Sequence, residues 1–254
     1  MIDLLIISGG SKGIGKNIVL NASNHAKKVL AIGSSDLINN ISDKEKKIYS
    51  LKKDISRIDK NFKELSEFLK KHNPKSIGLV LCASKIGNFG GILDADFTDW
   101  ENLYKTNVLG NLNIINKVLK YSDTDSYIRI VFFGGGGAAY GYPDFFGYSL
   151  SKVAVVRAVE NIGIELEKDY INASIVALAP GAVNTDMLAI VESHGGEVKT
   201  RTNIDEPTNF VFNFILDKIP SKKINGCFIH VRDDVKKYFN EDLDENHFKL
   251  RRID

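Results

Sequence analysis

Short runs of apolar residues recur along this chain, and each is followed by a longer stretch in which apolar positions return every three or four residues. The runs LLIIS, KVLAIG, KIYSL, IGLVLCA, YIRIVFF, INASIVALA and CFIHV are rich in β-branched and aromatic residues. Their apolarity is continuous rather than alternating, which predicts strands buried on both faces. Between them, helical periodicity predicts helices at about 13–24, 58–72, 98–121, 147–169 and 206–218.

Strands alternating with helices in this way predict an α/β fold, a doubly wound, Rossmann-like parallel sheet of about seven strands flanked by helices. With no internal repeat and no low-complexity linker, residues 1–254 are expected to form a single domain. Two segments fall outside the rhythm. The first, 186–205, combines a short helical pattern with Gly195-Gly196, as a substrate lid or a variable surface loop would. The second, the tail 232–254, is strongly charged with aromatics at intervals, and suits either packing on a neighbouring subunit or plain solvation.

Charge narrows the partner. The formal net charge is +2, so nothing predicts a nucleic-acid or membrane-surface footprint, and a small-molecule substrate is expected. The cysteines, Cys82 and Cys227, lie far apart inside apolar runs, and no His or Cys cluster has metal-ligand spacing. Neither a disulfide framework nor a metal site is predicted. The opening MIDLLIISGG has no basic leader and too short an apolar run to span a bilayer, so the expected location is cytoplasmic.

Two constellations carry chemistry. After the first strand, Ser8-Gly9-Gly10-Ser11-Lys12-Gly13-Ile14-Gly15 leads into a helix. Glycines there permit a tight turn and let the backbone approach a pyrophosphate at the helix N-terminus. Farther on, Tyr148 and Lys152 stand four apart at the start of a helical pattern and share one face. An ammonium beside a phenol favours phenolate, lowering a pKa of about 10 and making Tyr148 an acid or base for a carbonyl and its alcohol.

Together these residues resemble the short-chain dehydrogenase/reductase family, whose members carry Thr-Gly-x-x-x-Gly-x-Gly in the first turn; Ser8 keeps the threonine's hydroxyl. The resemblance runs on through Asp54 in LKKDIS, Ala83 in LCAS where Asn-Asn-Ala-Gly is usual, Asn107 in TNVLG, and Pro180-Gly181-Ala182-Val183-Asn184-Thr185. It implies an NAD(P)-dependent oxidoreductase. Tyr148 would be the acid/base, Lys152 its activator and ribose contact, and Asn107 the holder of a water in a proton relay. The residues it assigns to the cofactor are Ser8, Gly9, Ser11, Lys12, Gly13, Ile14, Gly15, Ser34, Asp54, Ile55, Ala83, Lys152, Pro180, Gly181, Val183 and Thr185. It also implies a homodimer or homotetramer through the central helix, where Trp100 and Tyr104 share a face, and the helix bearing Tyr148.

The second strand ends at Gly33-Ser34-Ser35 instead of an acid that would bind ribose hydroxyls, and Lys12 is a cation suited to an extra phosphate. NADP is therefore expected ahead of NAD, with Asp36 keeping NAD open. The family places a carbonyl-polarising serine thirteen residues before the tyrosine; here that position is Gly135. Backbone N–H groups of Gly134 to Gly137, a hydroxyl of Tyr140 or Tyr142, or the substrate itself would have to replace it. A run like Gly135-Gly136-Gly137 and a terminus like Leu250-Arg251-Arg252 are also similar to a branch met in bacterial polysaccharide biosynthesis, implying a sugar or sugar-nucleotide substrate. The alternative to an enzyme is a dinucleotide-binding sensor that lost turnover with the serine; a longer-chain epimerase or dehydratase is disfavoured by the glycine spacing. His194 reads as a solvated loop histidine or a substrate contact, and His25 and His230 as structural.

Overall fold

The apolar runs do form strands. The computed structural model describes residues 1–35, 47–196, 198, 200–244 and 246–250. Its strands are β1 (Ile2–Ser8), β2 (Ala26–Gly33), β3 (Ile48–Lys52), β4 (Ser76–Leu81), β5 (Tyr127–Phe133), β6 (Ala173–Ala179), the two-residue β7 (Ala182–Val183) and β8 (Arg201–Thr202), and β9 (Cys227–His230). Its helices are α1 (Gly13–Asn21), α2 (Lys63–His72), α3 (Phe97–Tyr104), α4 (Asn111–Lys120), α5 (Phe146–Asp169), α6 (Asp186–Ser193) and α7 (Asp205–Ile215). Seven strands make one sheet in the order β3-β2-β1-β4-β5-β6-β9, every pairing parallel. This is the expected doubly wound α/β, Rossmann-like sheet. Its order reverses between β1 and β4, where the crevice at the strands' carboxyl ends is the ligand position of such sheets.

Alternation within β1 shows why the sheet is buried on both faces. Leu5 and Ile7 join the core under α1 and α7, while Leu4 and Ile6 join the core under α2, α4 and α5. The amino-terminal edge is pinned by charge. Asp3 accepts from the Lys75 and Ser76 N–H groups and from Lys27, tying β1 to β4. Arg129, only 3 % exposed in β5, forms a two-pronged pair with Asp217 just after α7 (2.9 and 2.8 Å).

Several expected boundaries shift for physical reasons. The helix expected at 58–72 begins at Lys63, because the Asp59 carboxylate takes the Asn61 N–H in a turn and Phe62 is left-handed at φ 34°. The helix expected at 98–121 is continuous but widens to π geometry over Lys105–Gly110 before resuming as α4. The segment expected as a lid supplies α6, turns at Gly195 (φ 80°), and returns so that β8 pairs with β7. Arg232 fastens that return through the Thr200 and Thr202 hydroxyls and the Arg201 carbonyl.

The tail packs against its own chain. The Phe228 N–H on the outer rim of β9 donates to the Phe248 carbonyl (2.8 Å), and the His230 N–H donates to Asp233 (2.7 Å). Buried Glu160 on α5 accepts from the Leu250 N–H. Asp36, Arg251 and Arg252 lie outside the described residues.

Candidate active site

The carboxyl ends of β1, β4 and β5 bring the expected residues together around two asparagines on the central helix. Asn107 is fully buried within the π segment; its amide donates to the Lys85 carbonyl (2.9 Å) and Ser151 Oγ (3.0 Å), and accepts from the Lys85 N–H (2.7 Å). Asn111, one turn later, accepts from Ser8 Oγ (2.6 Å) and shares its N–H groups among the carbonyls of Ala83 (3.0 Å), Thr106 (3.2 Å) and Asn107 (3.2 Å). Widening the helix frees carbonyls there, and the Asn111 amide satisfies two of them. Ser8 also accepts from the Ala83 N–H (3.2 Å), so its buried hydroxyl braces the loop from beneath.

The glycine loop is packed where only bare backbone fits. Gly9 has φ 69°, and a Cβ there would stand 2.7 Å from the Ala83 nitrogen. Gly13 has φ 52° and would press a Cβ to 3.3 Å from Thr185 Cγ2, so only bare backbone lets the loop nest between the β4 end and the Pro180–Thr185 turn. Gly13-Ile14-Gly15 opens α1, whose first turn has no side-chain cap, as suits an N-terminus that receives an anion. Ser11 is half-buried, Lys12 is exposed with its ammonium 3.7 Å from Asp186, and Ser34 is exposed at the end of β2. Pro180, Gly181 and buried Val183 follow β6. A further sign of fit is Ser84, whose Oγ is buried with no hydrogen-bond partner.

Asp54 caps the turn after β3 by accepting from the Ser56 N–H (3.0 Å) and hydroxyl (2.7 Å), and the Ser56 hydroxyl is the main reason its pKa is lowered. Ile55 is buried, its carbonyl against Gly110. A groove of about 610 Å³ beside them is lined by Lys52, Lys53, Asp54, Arg57, Ile58 and Asp59.

Tyr148 and Lys152 share a face of α5, as their spacing predicts. Lys152 Nζ donates to the Phe133 carbonyl (2.9 Å) and lies 5.4 Å from the Tyr148 ring centroid. Burial pushes the Tyr148 phenol well above its ordinary range, nearby Tyr142 adds to this, and burial draws Lys152 down to about 8. The expected lowering of the tyrosine pKa is therefore corrected: desolvation dominates, and the ammonium is directed at a backbone carbonyl. The Asn107 side chain also has its bonding capacity engaged within the protein.

Gly135 lies where the family serine would be. A Cβ there would stand 3.2 Å from Tyr148 Oη, and its φ of 162° is extended backbone open to any residue. The four-residue cradle expected from Gly134 to Gly137 is reduced. Gly134 spends its N–H on the Leu178 carbonyl (2.9 Å), leaving those of Gly135, Gly136 and Gly137 without an acceptor among the described residues. Of the two tyrosines considered as replacement donors, Tyr140 is 78 % exposed, whereas Tyr142 is close enough to Tyr148 to raise its pKa.

The mouth of the site is aromatic. Phe145, at the start of α5, meets Phe89 edge-on (4.6 Å) and Tyr142 (5.1 Å). His194, just past α6, stacks on Phe89 at 3.5 Å and 3°. It is exposed, as expected of a solvated loop histidine, with one ring face resting on Phe89. Helix α6 thus runs from the glycine loop, through Thr185 and Asp186, to the rim above Tyr148. Trp100 lies flat on Phe146 (5.1 Å, 6°) and against Gly147, pressing α3 onto the start of α5.

Asn111, Ser151, Ser84 and Phe89 were missed in the sequence. Asn111 alone left a trace there, an asparagine one turn after Asn107 on the same face.

The profile of the short chain dehydrogenase family matches residues 3–195. An uncharacterized oxidoreductase of Saccharomyces cerevisiae is 29 % identical over 195 residues, covering 71 % of this chain and 75 % of that protein. A short chain dehydrogenase of Shigella flexneri, solved in complex with NADP, superposes with a TM-score of 0.77 at 16 % identity over 91 % of this chain and 97 % of its own. 4-Hydroxyisoleucine dehydrogenase, solved with NADH, superposes with a TM-score of 0.72 at 16 % identity over 90 % of this chain and 96 % of its own.

Proposed function

Because the chain belongs to the short chain dehydrogenase family and is an NAD(P)-dependent oxidoreductase, we propose that it reduces a carbonyl compound, with Tyr148 as the proton donor. The observation that carries this reading is the pair on α5, a half-buried Tyr148 with the buried Lys152 ammonium 5.4 Å from its ring centre. A bound nicotinamide dinucleotide supplies the hydride.

Tyr148 donates its proton to the oxygen that gains charge as the carbonyl is reduced. Lys152, still mostly an ammonium at pH 7, stabilises the phenolate left behind. Asn107 positions both: its bond to Ser151 Oγ, which itself donates to the Tyr148 carbonyl (2.7 Å), fixes the first turn of α5 against the Lys85 loop. Tyr142 takes the place of the missing serine as second hydrogen-bond donor to the substrate oxygen. A binding-only scaffold would have no use for a buried ammonium set beside a phenol.

For the cofactor we favour NADP. Ser34 and Ser35 provide hydroxyls where an acid would repel a phosphate, and Lys52 pairs in register with Gly33 just before them. Support for a sugar substrate is confined to Gly135–Gly137 and the terminus near Leu250. The exposed ring of Tyr142, backed by the buried Phe145, suits a substrate with a flat, uncharged side, which a sugar or an aryl ketone would present. Self-association is proposed through the face that exposes Phe97, Tyr104, Leu109, Leu150 and Val153. Among the described residues no helix is long and apolar enough to cross a membrane.

The test is fluorescence titration with NADPH and NADH, followed by oxidation of the bound dinucleotide against keto-sugars, sugar nucleotides and aryl ketones. Turnover that disappears in Tyr148→Phe while cofactor affinity persists supports the assignment; turnover retained by that variant refutes it.

A further inference from the structure

The polar side chains beneath the crevice form a closed account with one exception. Ser8, Asn107, Asn111 and Ser151 each find partners in the protein. Ser84 stands among them, its backbone neighbours clamped on both sides by Asn111 at Ala83 and by Asn107 at Lys85. Its hydroxyl is nevertheless buried without a partner, one of two such side-chain atoms among the described residues. The other, Ser126, precedes β5 at the opposite end of the sheet, away from the crevice.

A buried hydroxyl without a bond destabilises the fold, and a native chain that keeps one has a use for it. Ser84 follows the residue against which the bare backbone of Gly9 packs, and so lies where the glycine loop meets the end of β4. Its neighbour Lys85 is held by Asn107, which also bonds Ser151, and Ser151 bonds the Tyr148 carbonyl, so Ser84 lies one residue from the chain of bonds that leads to the proton donor's turn. The residue itself is only half-buried, so a turn about its Cα–Cβ bond can bring the hydroxyl out of its orphaned position to the accessible side of the chain.

We infer that Ser84 is a cofactor-binding residue whose hydroxyl donates to an oxygen of the nicotinamide half of the dinucleotide. The inference rests on the reductase reading above. In the free protein the hydroxyl is held in reserve; on binding it gains the bond that the fold denies it.

The experiment combines affinity with the stability of the free protein. Ser84→Ala should weaken NADPH or NADH about tenfold, the loss of one hydrogen bond, and leave ADP and 2′,5′-ADP, which lack the nicotinamide half, unaffected. Its Tm without cofactor should equal or exceed that of the wild type, since no protein bond is removed. Ser84→Thr should retain wild-type affinity for the dinucleotide. Ser126→Ala should match the stability effect with no change in affinity.

Unchanged dinucleotide affinity in Ser84→Ala overturns the inference, as does equal weakening of ADP, or a Tm loss showing that the hydroxyl is bonded within the protein. Loss of kcat/KM at saturating cofactor with unchanged dinucleotide affinity assigns the hydroxyl to the substrate and also overturns it. A wild type that binds neither dinucleotide removes the reductase reading itself, and the inference with it.

Discussion

A Cβ on Gly135 would stand 3.2 Å from the Tyr148 hydroxyl, so the absence of a side chain at 135 is felt directly at the proton donor. The extended backbone there accepts serine, and only a few tenths of an ångström of yielding is needed. If Tyr142 already supplies the second donor, Gly135→Ser should fold normally and lower kcat several-fold by crowding. Tyr142→Phe should cost about a hundredfold in kcat, the scale of one lost oxyanion donor, and Gly135→Ser in that background should recover part of the loss. Steady-state kinetics of the four proteins decide it; a large gain from serine alone would mean that the natural site lacks a donor.

Lys152 sets opposite slopes for activity and stability. It is 2 % exposed, and burial draws it down to about 8 from an ordinary 10.5. Between those values the unfolded chain still holds the proton that the folded chain has released, so stability of the free protein should rise from about pH 8 to pH 10.5, and below 8 the buried charge weighs in full. Turnover should fall over the same window as the ammonium is lost. Lys152→Met should abolish turnover and raise Tm by about 2–4 °C for each kcal/mol recovered. Thermal unfolding and kcat measured over one pH series check both slopes.

Asn111 joins β1, β4 and the π segment through a single amide. Asn111→Leu would orphan the Ser8 hydroxyl and at least one buried carbonyl, a loss of about 2–6 kcal/mol at about 1–3 kcal/mol per unsatisfied group. Urea unfolding should show it. Cofactor affinity should fall too, because the loop against which Gly9 packs loses its brace.

The Arg129–Asp217 pair tests burial far from the chemistry. Asp217→Ala leaves a guanidinium that is 3 % exposed without its counter-charge, which should cost about 3–5 kcal/mol. Arg129→Met combined with Asp217→Ala should cost less than half as much, since no charge is stranded. Burial alone would raise the Asp217 pKa, but Arg129 and Ser221 overcome this and hold it low. Its stabilisation is thus present above the ordinary carboxylate range and drains away as the solution is acidified through it. Denaturant midpoints at neutral and acid pH measure both effects.

What the sequence disclosed was whatever depends on runs and spacings. Strands buried on both faces are continuous in apolarity, so all seven sheet strands were legible, and Tyr148 and Lys152 were legible because one helical turn separates them. The two-residue β7 and β8 carry no periodicity, and the π widening at Lys105–Gly110 leaves the apolar pattern of its helix intact, so neither could be read. Asn111, Ser84 and Phe89 owe their positions to elements distant in the chain. The direction of the Tyr148 pKa escapes the sequence for a related reason: spacing places an ammonium nearby, but only packing reveals that it faces the Phe133 carbonyl and that the phenol is partly desolvated.

The end of the chain has a consequence for the molecule in a crowded solution. A sheet whose last strand is left open offers a template on which another chain can add a strand, and so on without limit. Here the Phe248 carbonyl and the Asp233 carboxylate occupy the outward N–H groups of Phe228 and His230. The tail therefore serves as a stopper against runaway sheet growth, and removing it would expose a sticky rim, uncover the core that Val235 and Tyr238 fill, and release the β8 return that Arg232 fastens.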